Sequence, residues 1–117
     1  MAILTREAIL EAQDLKRETI SVKRWGGEVI VTEMTAARRL EFERLFTEVE
    51  NRMRVLLVAF AVVDEAGKPL FSVKDVEALG EKNFRAVYRV SQVALRLNRV
   101  GEAEELELQE NFPGSQG

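Results

Sequence analysis

A continuously apolar run at residues 55–63 (VLLVAFAVV) constrains the fold of this chain more than any other feature of its sequence. A segment that crosses a bilayer needs about 18 apolar residues, and this run is shorter. It is followed by the acidic residues Asp64 and Glu65. Because it has no polar side, other parts of the protein must cover it on most sides. At roughly 1.5–3 kcal/mol for each large side chain fully buried, it is the largest local source of burial energy, so we expect it at the centre of the core.

The residues before this run favour a helix over a strand, a choice that periodicity alone cannot make over so short a stretch. Apolar side chains recur there at steps of three and four residues, at Leu45, Phe46, Val49, Met53, Leu56, Leu57 and Phe60. This spacing predicts one long helix over residues 36–62, amphipathic at first and buried at its end. Thr35 is its expected N-cap, since a threonine hydroxyl can accept from the unpaired amides of a first helical turn.

Residues 17–34 alternate between apolar and polar side chains and are interrupted by Gly26 and Gly27. Two residues that tolerate positive φ are typical of a two-residue hairpin turn. We expect strands near residues 17–25 and 28–34, with Trp25 opposite Glu28 and Val22 opposite Val31. One face of this hairpin carries the candidate core residues Ile20, Val22, Val29 and Val31. The other face carries Trp25, Ile30 and Met34.

The face with Trp25, Ile30 and Met34 is a candidate protein-binding surface, because Trp is over-represented among interface hot spots. The alternative is that Trp25, the only Trp of the chain, shields a neighbouring helix.

The remaining segments predict three more helices. A short helix follows Thr5, a second over residues 73–79 begins at a capping box of Ser72 and Asp75, and a third spans residues 81–99. Residues 64–69 predict a turn, residues 102–110 form an acidic segment that can also be helical, and residues 110–117 have the composition of a disordered tail. The expected fold is α+β, a mostly helical single domain over residues 1–109 with one N-terminal β-hairpin.

Composition excludes several functions. The chain has no Cys and no His, which removes thiolate chemistry and the usual general base and metal ligand near neutral pH. A net charge of −3 and a pI near 5.2 argue against nucleic acid or an anionic membrane as the main partner. We therefore predict no enzyme, and assign no catalytic, cofactor-binding or metal-binding residue. Residues 1–7 lack the pattern of a secretory signal, so we expect a cytoplasmic protein.

Four arginines of the predicted helix at residues 81–99 fall within an arc of roughly 80° at 100° per residue: Arg85, Arg89, Arg96 and Arg99. This stripe is a candidate docking surface for an acidic partner, since the planar arginine fork binds a carboxylate at two points. Two alternatives remain open: a solvated helix face balanced by the nearby glutamates at residues 102–107, and a surface for nucleic acid.

Several blocks of the sequence, taken in order, resemble a known family. They are residues 5–10 (TREAIL), 14–15 (DL), 24–27 (RWGG), 34–37 (MTAA), 63–71 (VDEAGKPLF), 75–82 (DVEALGEK) and 93–98 (VALRLN). Together they resemble the tail assembly chaperones of long-tailed (siphovirus-like) bacteriophages, over about residues 5–109.

This resemblance implies a non-enzymatic function in virion assembly. Such chaperones bind the tape measure protein and keep it soluble and extended while tail tube subunits assemble around it. They act in the cytoplasm of the bacterial host, often self-associate and are absent from the mature virion. The rival hypothesis from the residues alone is a small DNA-binding regulatory protein that uses the arginine stripe.

The resemblance also implies that a longer form can be made by a ribosomal frameshift near the end of the reading frame. The overlapping dipeptides Asn-Phe, Phe-Pro and Pro-Gly at residues 111–114 can each be encoded by a slippery codon pair. We expect the appended domain of such a form to recruit the tail tube protein.

Overall fold

The apolar run forms the innermost helix of the protein in a computed structural model, which describes residues 3–48 and 52–99. The elements in chain order are α1 (Arg6–Glu11), β1 (Arg17–Val22), β2 (Gly27–Thr32), α2 (Ala36–Glu48), α3 (Met53–Ala61), β3 (Val62–Val63), α4 (Val76–Gly80) and α5 (Phe84–Asn98). Short 3-10 turns at Lys23–Trp25 and Val73–Asp75 precede β2 and α4. The predicted α+β fold is confirmed. The predicted acidic segment at residues 102–110 and the tail at residues 110–117 lie outside the described residues.

The six residues from Leu56 to Ala61 are all buried, which confirms the central position predicted for the run. α3 packs against α2, α4 and α5, so protein covers it on several sides. The same core includes Ile20 and Val31 from the sheet. One apolar helix therefore joins the sheet and the other core helices.

The single long helix predicted over residues 36–62 is wrong. The ring centroids of Phe42 and Phe60 lie 5.9 Å apart. In one straight helix these residues would be separated by about 27 Å, at 1.5 Å per residue. The chain instead forms two helices, α2 and α3, that pack against each other, with residues 49–51 outside the described part. The three- and four-residue spacing does not reveal the break, because each helix has an apolar face and the two faces cover each other.

The end of the run is a strand rather than helix. Val62 has extended backbone angles, and Val62–Val63 forms β3 at one edge of the antiparallel sheet β1-β2-β3. Ile30 pairs with Val63, and Val31 pairs with Val62. A continuously apolar sequence contains no change of pattern where helix gives way to strand, so this third strand was not predicted.

Arg38 satisfies the carbonyl groups at the end of α3. Its Nε donates to Phe60 O at 3.3 Å, and its Nη2 donates to Ala59 O at 3.5 Å. Its guanidinium also lies 4.6 Å from the centre of the Phe60 ring. Burial lowers the pKa of Arg38 from its usual value. A cation at this position stabilises the last helical turn, whose carbonyls have no partner within the helix.

The hairpin is confirmed, but its predicted turn and register are wrong. Val22 pairs with Gly27 and Ile20 with Val29, so the loop contains four residues rather than two. The 3-10 turn Lys23–Trp25 is closed by Gly26 in the left-handed region, at φ 79°. Only this first glycine uses positive φ, and the second begins β2.

The register is shifted by four residues, since Gly27 and not Val31 lies opposite Val22. Every side chain keeps its face, because the side-chain period of a strand is two. Ile20, Val22 and Val31 are accordingly buried, and Val29 packs against the core. The predicted core face of the hairpin is therefore confirmed.

The predicted caps and the predicted turn at residues 64–69 agree with the structure. The hydroxyls of Thr5 and Thr35 accept from backbone amides three residues on, at 3.1 and 3.2 Å. The capping box between Ser72 and Asp75 is present. In the turn before it, Gly67 has a φ of 87°, and a β-carbon there would lie 2.9 Å from Arg17 Nη2.

Asn98 joins the end of α5 to the end of β2. Its Oδ1 accepts from Met34 N at 2.7 Å, and its Nδ2 donates to Thr32 O at 3.2 Å and to Ala94 O at 3.0 Å. Arg39 Nη1 donates to the Asn98 carbonyl at 2.8 Å. This side chain therefore satisfies backbone groups of two elements at the point where the strand leaves the sheet.

Candidate protein-binding surfaces

The structure does not bring Trp25, Ile30 and Met34 together on one exposed face. Met34 is 9% exposed and belongs to the core. Trp25 lies in the hairpin turn, partly buried, and packs against that core. Ile30 is partly exposed and lines a surface cavity of about 510 Å³ with Val63 and Leu70. Ile30 is thus the member of the set that extends from the strands toward a surface cavity.

Two arginines of the predicted stripe contact β1. Arg89 Nε donates to Ser21 O at 2.9 Å. Arg96 Nη2 donates to both carboxylate oxygens of Glu18, at 2.9 and 2.7 Å. These contacts link α5 to the strand. Within the described residues, the partner of Arg96 is therefore a glutamate of the sheet.

The other two arginines lie at opposite ends of α5. Arg99 follows the helix in the left-handed region, at φ 50°, and lines a cavity of about 560 Å³ with Arg39 and Asn98. Arg85 is the second residue of the helix and lies beside the hairpin turn. The stripe is therefore divided between three local environments and does not form one continuous row of unengaged cations.

The hairpin turn and α5 enclose a basic groove, a cavity of about 310 Å³. Its charged lining residues are Lys23, Arg24, Arg85 and Arg89, and none of the described residues that line it carries a carboxylate. Sequence analysis found the two arginines of α5, but the contribution of the turn depends on the four-residue loop, which was not predicted.

An exposed apolar segment precedes the sheet, and sequence analysis did not identify it as a surface. Every residue from Ile3 to Arg17 is exposed, and none of the side chains of α1 is buried. The large apolar side chains of this segment are Ile3, Leu4, Ile9, Leu10 and Leu15. The available signal was the shortness of α1, since a helix of six residues buries little surface by itself.

A second apolar surface lies at the start of α5. The rings of Phe84 and Tyr88 are 5.7 Å apart, and Phe84 is 73% exposed. The guanidinium of Arg54 lies 4.2 Å from the centre of the Tyr88 ring, and its Nη1 donates to Ser91 Oγ and Gln92 Oε1, both at 2.9 Å. Arg54 therefore holds α3 against α5 beneath a partly exposed aromatic pair.

The described residues contain few perturbed ionisable groups. A side-chain hydrogen bond from Arg44 lowers the pKa of the exposed Glu41 carboxyl. No group of three or more acidic residues in the described ranges is placed to hold a metal ion. None of the helices described is long and apolar enough to cross a membrane. The features that this part of the chain offers for recognition are exposed apolar side chains and the basic groove.

Comparison with known proteins identifies the fold. No protein-family model matches the sequence, and no curated protein does. Among solved structures, the chain is similar to the tail assembly chaperone of bacteriophage HK97, with a TM-score of 0.59 and 21% sequence identity. The match covers 82% of this chain and 95% of the HK97 chain. The resemblance predicted from the sequence is thereby confirmed in the fold.

Proposed function

We propose that this chain, which shares the fold of the HK97 tail assembly chaperone, is itself a phage tail assembly chaperone. It binds the tape measure protein of its phage or prophage and keeps it soluble and extended while tail tube subunits assemble around it. The fold match over 82% of the chain is the observation that carries this proposal. The function is non-enzymatic, is exercised in the host cytoplasm and does not require the chaperone in the mature virion.

The exposed N-terminal segment supports this function. A partner that aggregates through apolar side chains is kept soluble when those side chains are covered by a protein that does not itself precipitate. Ile9 and Leu10 are more than half exposed, at 56% and 67%. We assign the apolar side chains of α1 to contact with the tape measure protein.

Co-expression tests the proposal. The chain is produced together with the tape measure protein encoded by the same phage genome, and the soluble fraction of the tape measure protein is measured. We expect a several-fold increase in the soluble fraction, and co-purification of the two proteins. Equal precipitation with and without the chain would contradict the proposed function.

Self-association is a second part of the proposal, and Ile30 is its best-placed residue. Ile30 lies beside Leu70, which is 53% exposed, so another copy can cover both. Ile30→Ser is expected to lower the apparent mass in sedimentation at equal helical content. Thr19 lies opposite Ile30 in the sheet, which makes Thr19→Ser the matched control. We retain Trp25, in the hairpin turn, as a separate proposed contact residue, and Met34 as a core residue.

The arginine stripe favours a protein partner over DNA. Arg96 is paired with Glu18, Arg89 is bonded to β1, and the chain is acidic as a whole. We propose that Arg85, Arg89, Arg96 and Arg99 contribute to protein contacts. Binding of random duplex DNA at physiological ionic strength would favour the DNA-binding alternative.

We further propose a longer form, produced by a backward frameshift at residues 109–115, whose appended domain engages the tail tube protein. A tether between the two modules lets one hold the tape measure protein while the other engages a second partner. The nucleotide sequence tests this directly. Absence of a slippery codon pair, or of an open −1 frame after it, would contradict the longer form.

A further inference from the structure

The basic groove between the hairpin turn and α5 is unusual in a protein with a net charge of −3. Four of the seven residues that line it are cations, and its apolar wall contains the buried residues Val22 and Ala86. Like charges held this close repel one another, so an anion that enters the groove lowers the electrostatic energy. The lining therefore selects a ligand rich in carboxylates or phosphates.

The cations of the groove are largely available to a ligand. Arg89 donates one bond to Ser21 O through Nε. The side chains of Lys23, Arg24 and Arg85 make no hydrogen bond or ion pair within residues 3–48 and 52–99. All four side chains belong to exposed residues. A carboxylate entering the groove would meet arginine forks that can bind it at two points.

A ligand of this chemistry occurs in the same chain. Five glutamates follow α5 within nine residues, at Glu102, Glu104, Glu105, Glu107 and Glu110. They alternate with or neighbour Leu106 and Leu108, which can contact the apolar wall of the groove. Charge and polarity of the segment are therefore complementary to those of the groove.

The chain is long enough for this contact. Arg85 and Arg99 are separated by about 21 Å along α5, at 1.5 Å per residue. Residues 100–107 reach up to about 26 Å when extended, at about 3.3 Å per residue. Glu107 and Glu110 are therefore far enough along the chain to return along α5 to the groove. A tether this short gives an effective concentration on the order of millimolar.

We propose that the acidic segment at residues 102–110 binds the basic groove of its own chain. Its carboxylates pair with Lys23, Arg24 and Arg85, and an external acidic protein segment reaches these cations only by displacing it. The groove is thus a carboxylate-binding site under competitive control by the chain itself. This inference does not depend on the proposed function in tail assembly.

The first experiment compares the full chain with a variant in which all five glutamates are replaced by Gln. Backbone amide shifts are recorded at low salt over a range of protein concentrations. We expect shift changes at residues 23–26 and 85–89, including the indole of Trp25, that are the same at every protein concentration. These changes should be lost in 0.5 M salt, where the Debye length is about 4 Å and the attraction between the charges is screened. Unchanged shifts in these residues would overturn the proposal. Changes that grow with protein concentration would also overturn it, because the segment would then bind a second copy.

The second experiment supplies the segment as a synthetic peptide of residues 101–111, titrated into the five-Gln variant. Arg24→Glu with Arg85→Glu is expected to weaken peptide binding about tenfold. Arg6→Glu with Lys74→Glu makes the same charge change at exposed positions outside the groove and is expected to weaken it far less. Equal losses in the two variants would overturn the assignment of the site.

Preferential binding of random duplex DNA, abolished by the groove variant alone, would reassign the groove to nucleic acid. Neither experiment uses the tape measure protein, so this proposal and the proposed function fail independently.

Discussion

α3 and the N-terminal segment are both rich in large aliphatic side chains, but those of α3 are buried and those of the N-terminal segment are exposed. Leu57 in α3 is 0% exposed, whereas Leu10 in α1 is 67% exposed. α3 is covered by three helices and adjoins the sheet, whereas α1 buries none of its own side chains. The same residue type therefore stabilises the fold in one region and offers a contact surface in the other.

The difference lies in what the rest of the sequence supplies. α2, α4 and α5 each turn an apolar face toward α3, and burial of these faces is mutual. No comparable face among the described residues is turned toward α1. An apolar segment that no described part of the protein covers is accessible to another chain, as the proposed chaperone function requires.

The largest effect is expected from truncation of the buried leucine. Leu57→Ala removes a side chain from the centre of the core and leaves a cavity, so the free energy of unfolding should fall by about 3–5 kcal/mol. Leu10→Ala makes the same chemical change in the exposed segment and should alter it by less than about 0.5 kcal/mol. Urea unfolding of the two variants measures the contrast directly. Similar losses in both would show that α1 packs against the body in solution.

A smaller loss is expected at the joint between α5 and β2. Asn98→Ala leaves the amide of Met34 and the carbonyl of Thr32 without their side-chain partner. The free energy of unfolding should fall by about 1–3 kcal/mol, the usual cost of leaving a buried polar group unsatisfied. Urea unfolding should show this loss, and hydrogen exchange at the Met34 amide should accelerate. Asn83→Ala removes only the N-cap hydrogen bond from Ala86 N and should cost about 1 kcal/mol, which makes it the control. Unchanged exchange at Met34 would contradict the role assigned to Asn98.

Much of the core and many of the helix ends were predictable, because hydrophobic patterning and capping residues close in sequence determine them. The apolar run had to be buried, Thr35 and Ser72 had side chains that cap, and alternation over the hairpin fixed which face meets the core. An even shift in register preserves those faces, so the wrong turn at Gly26 did not disturb the predicted core face. These features depend on neighbours in sequence.

The features that were not predicted depend on contacts between distant residues. The break between α2 and α3 is visible only in the contact of Phe42 with Phe60, and β3 forms only because Val31 is beside Val62. The basic groove likewise joins Arg24 to Arg85, which are far apart in the chain. The candidate surfaces were therefore less predictable than the core, because each surface combines residues from elements that only the complete fold brings together.

The ion pair between α5 and β1 is intermediate in exposure between the buried α3 and the exposed α1. Glu18 and Arg96 have side chains that are 40% and 59% exposed, so water screens their attraction. A double-mutant cycle with Glu18→Gln and Arg96→Gln should give a coupling energy of about 0–1 kcal/mol. The two single variants should also unfold at nearly the native urea concentration. A coupling well above this range would show that the arginine stripe belongs to the stabilising body and is not available to a partner.

The smallest effect on stability, and the largest on function, is expected from polar substitution in α1. Ile9→Ser with Leu10→Ser changes side chains that already face water, so the free energy of unfolding should change by less than about 0.5 kcal/mol. Solubilisation of the tape measure protein on co-expression should nevertheless fall several-fold, because the apolar surface that covers the client is lost. Glu7→Gln with Glu11→Gln alters the same helix without removing apolar surface and should leave solubilisation intact. If the serine variant is as stable and as active as the native chain, the exposed segment is not the client surface, and the contrast between α1 and α3 has no functional meaning.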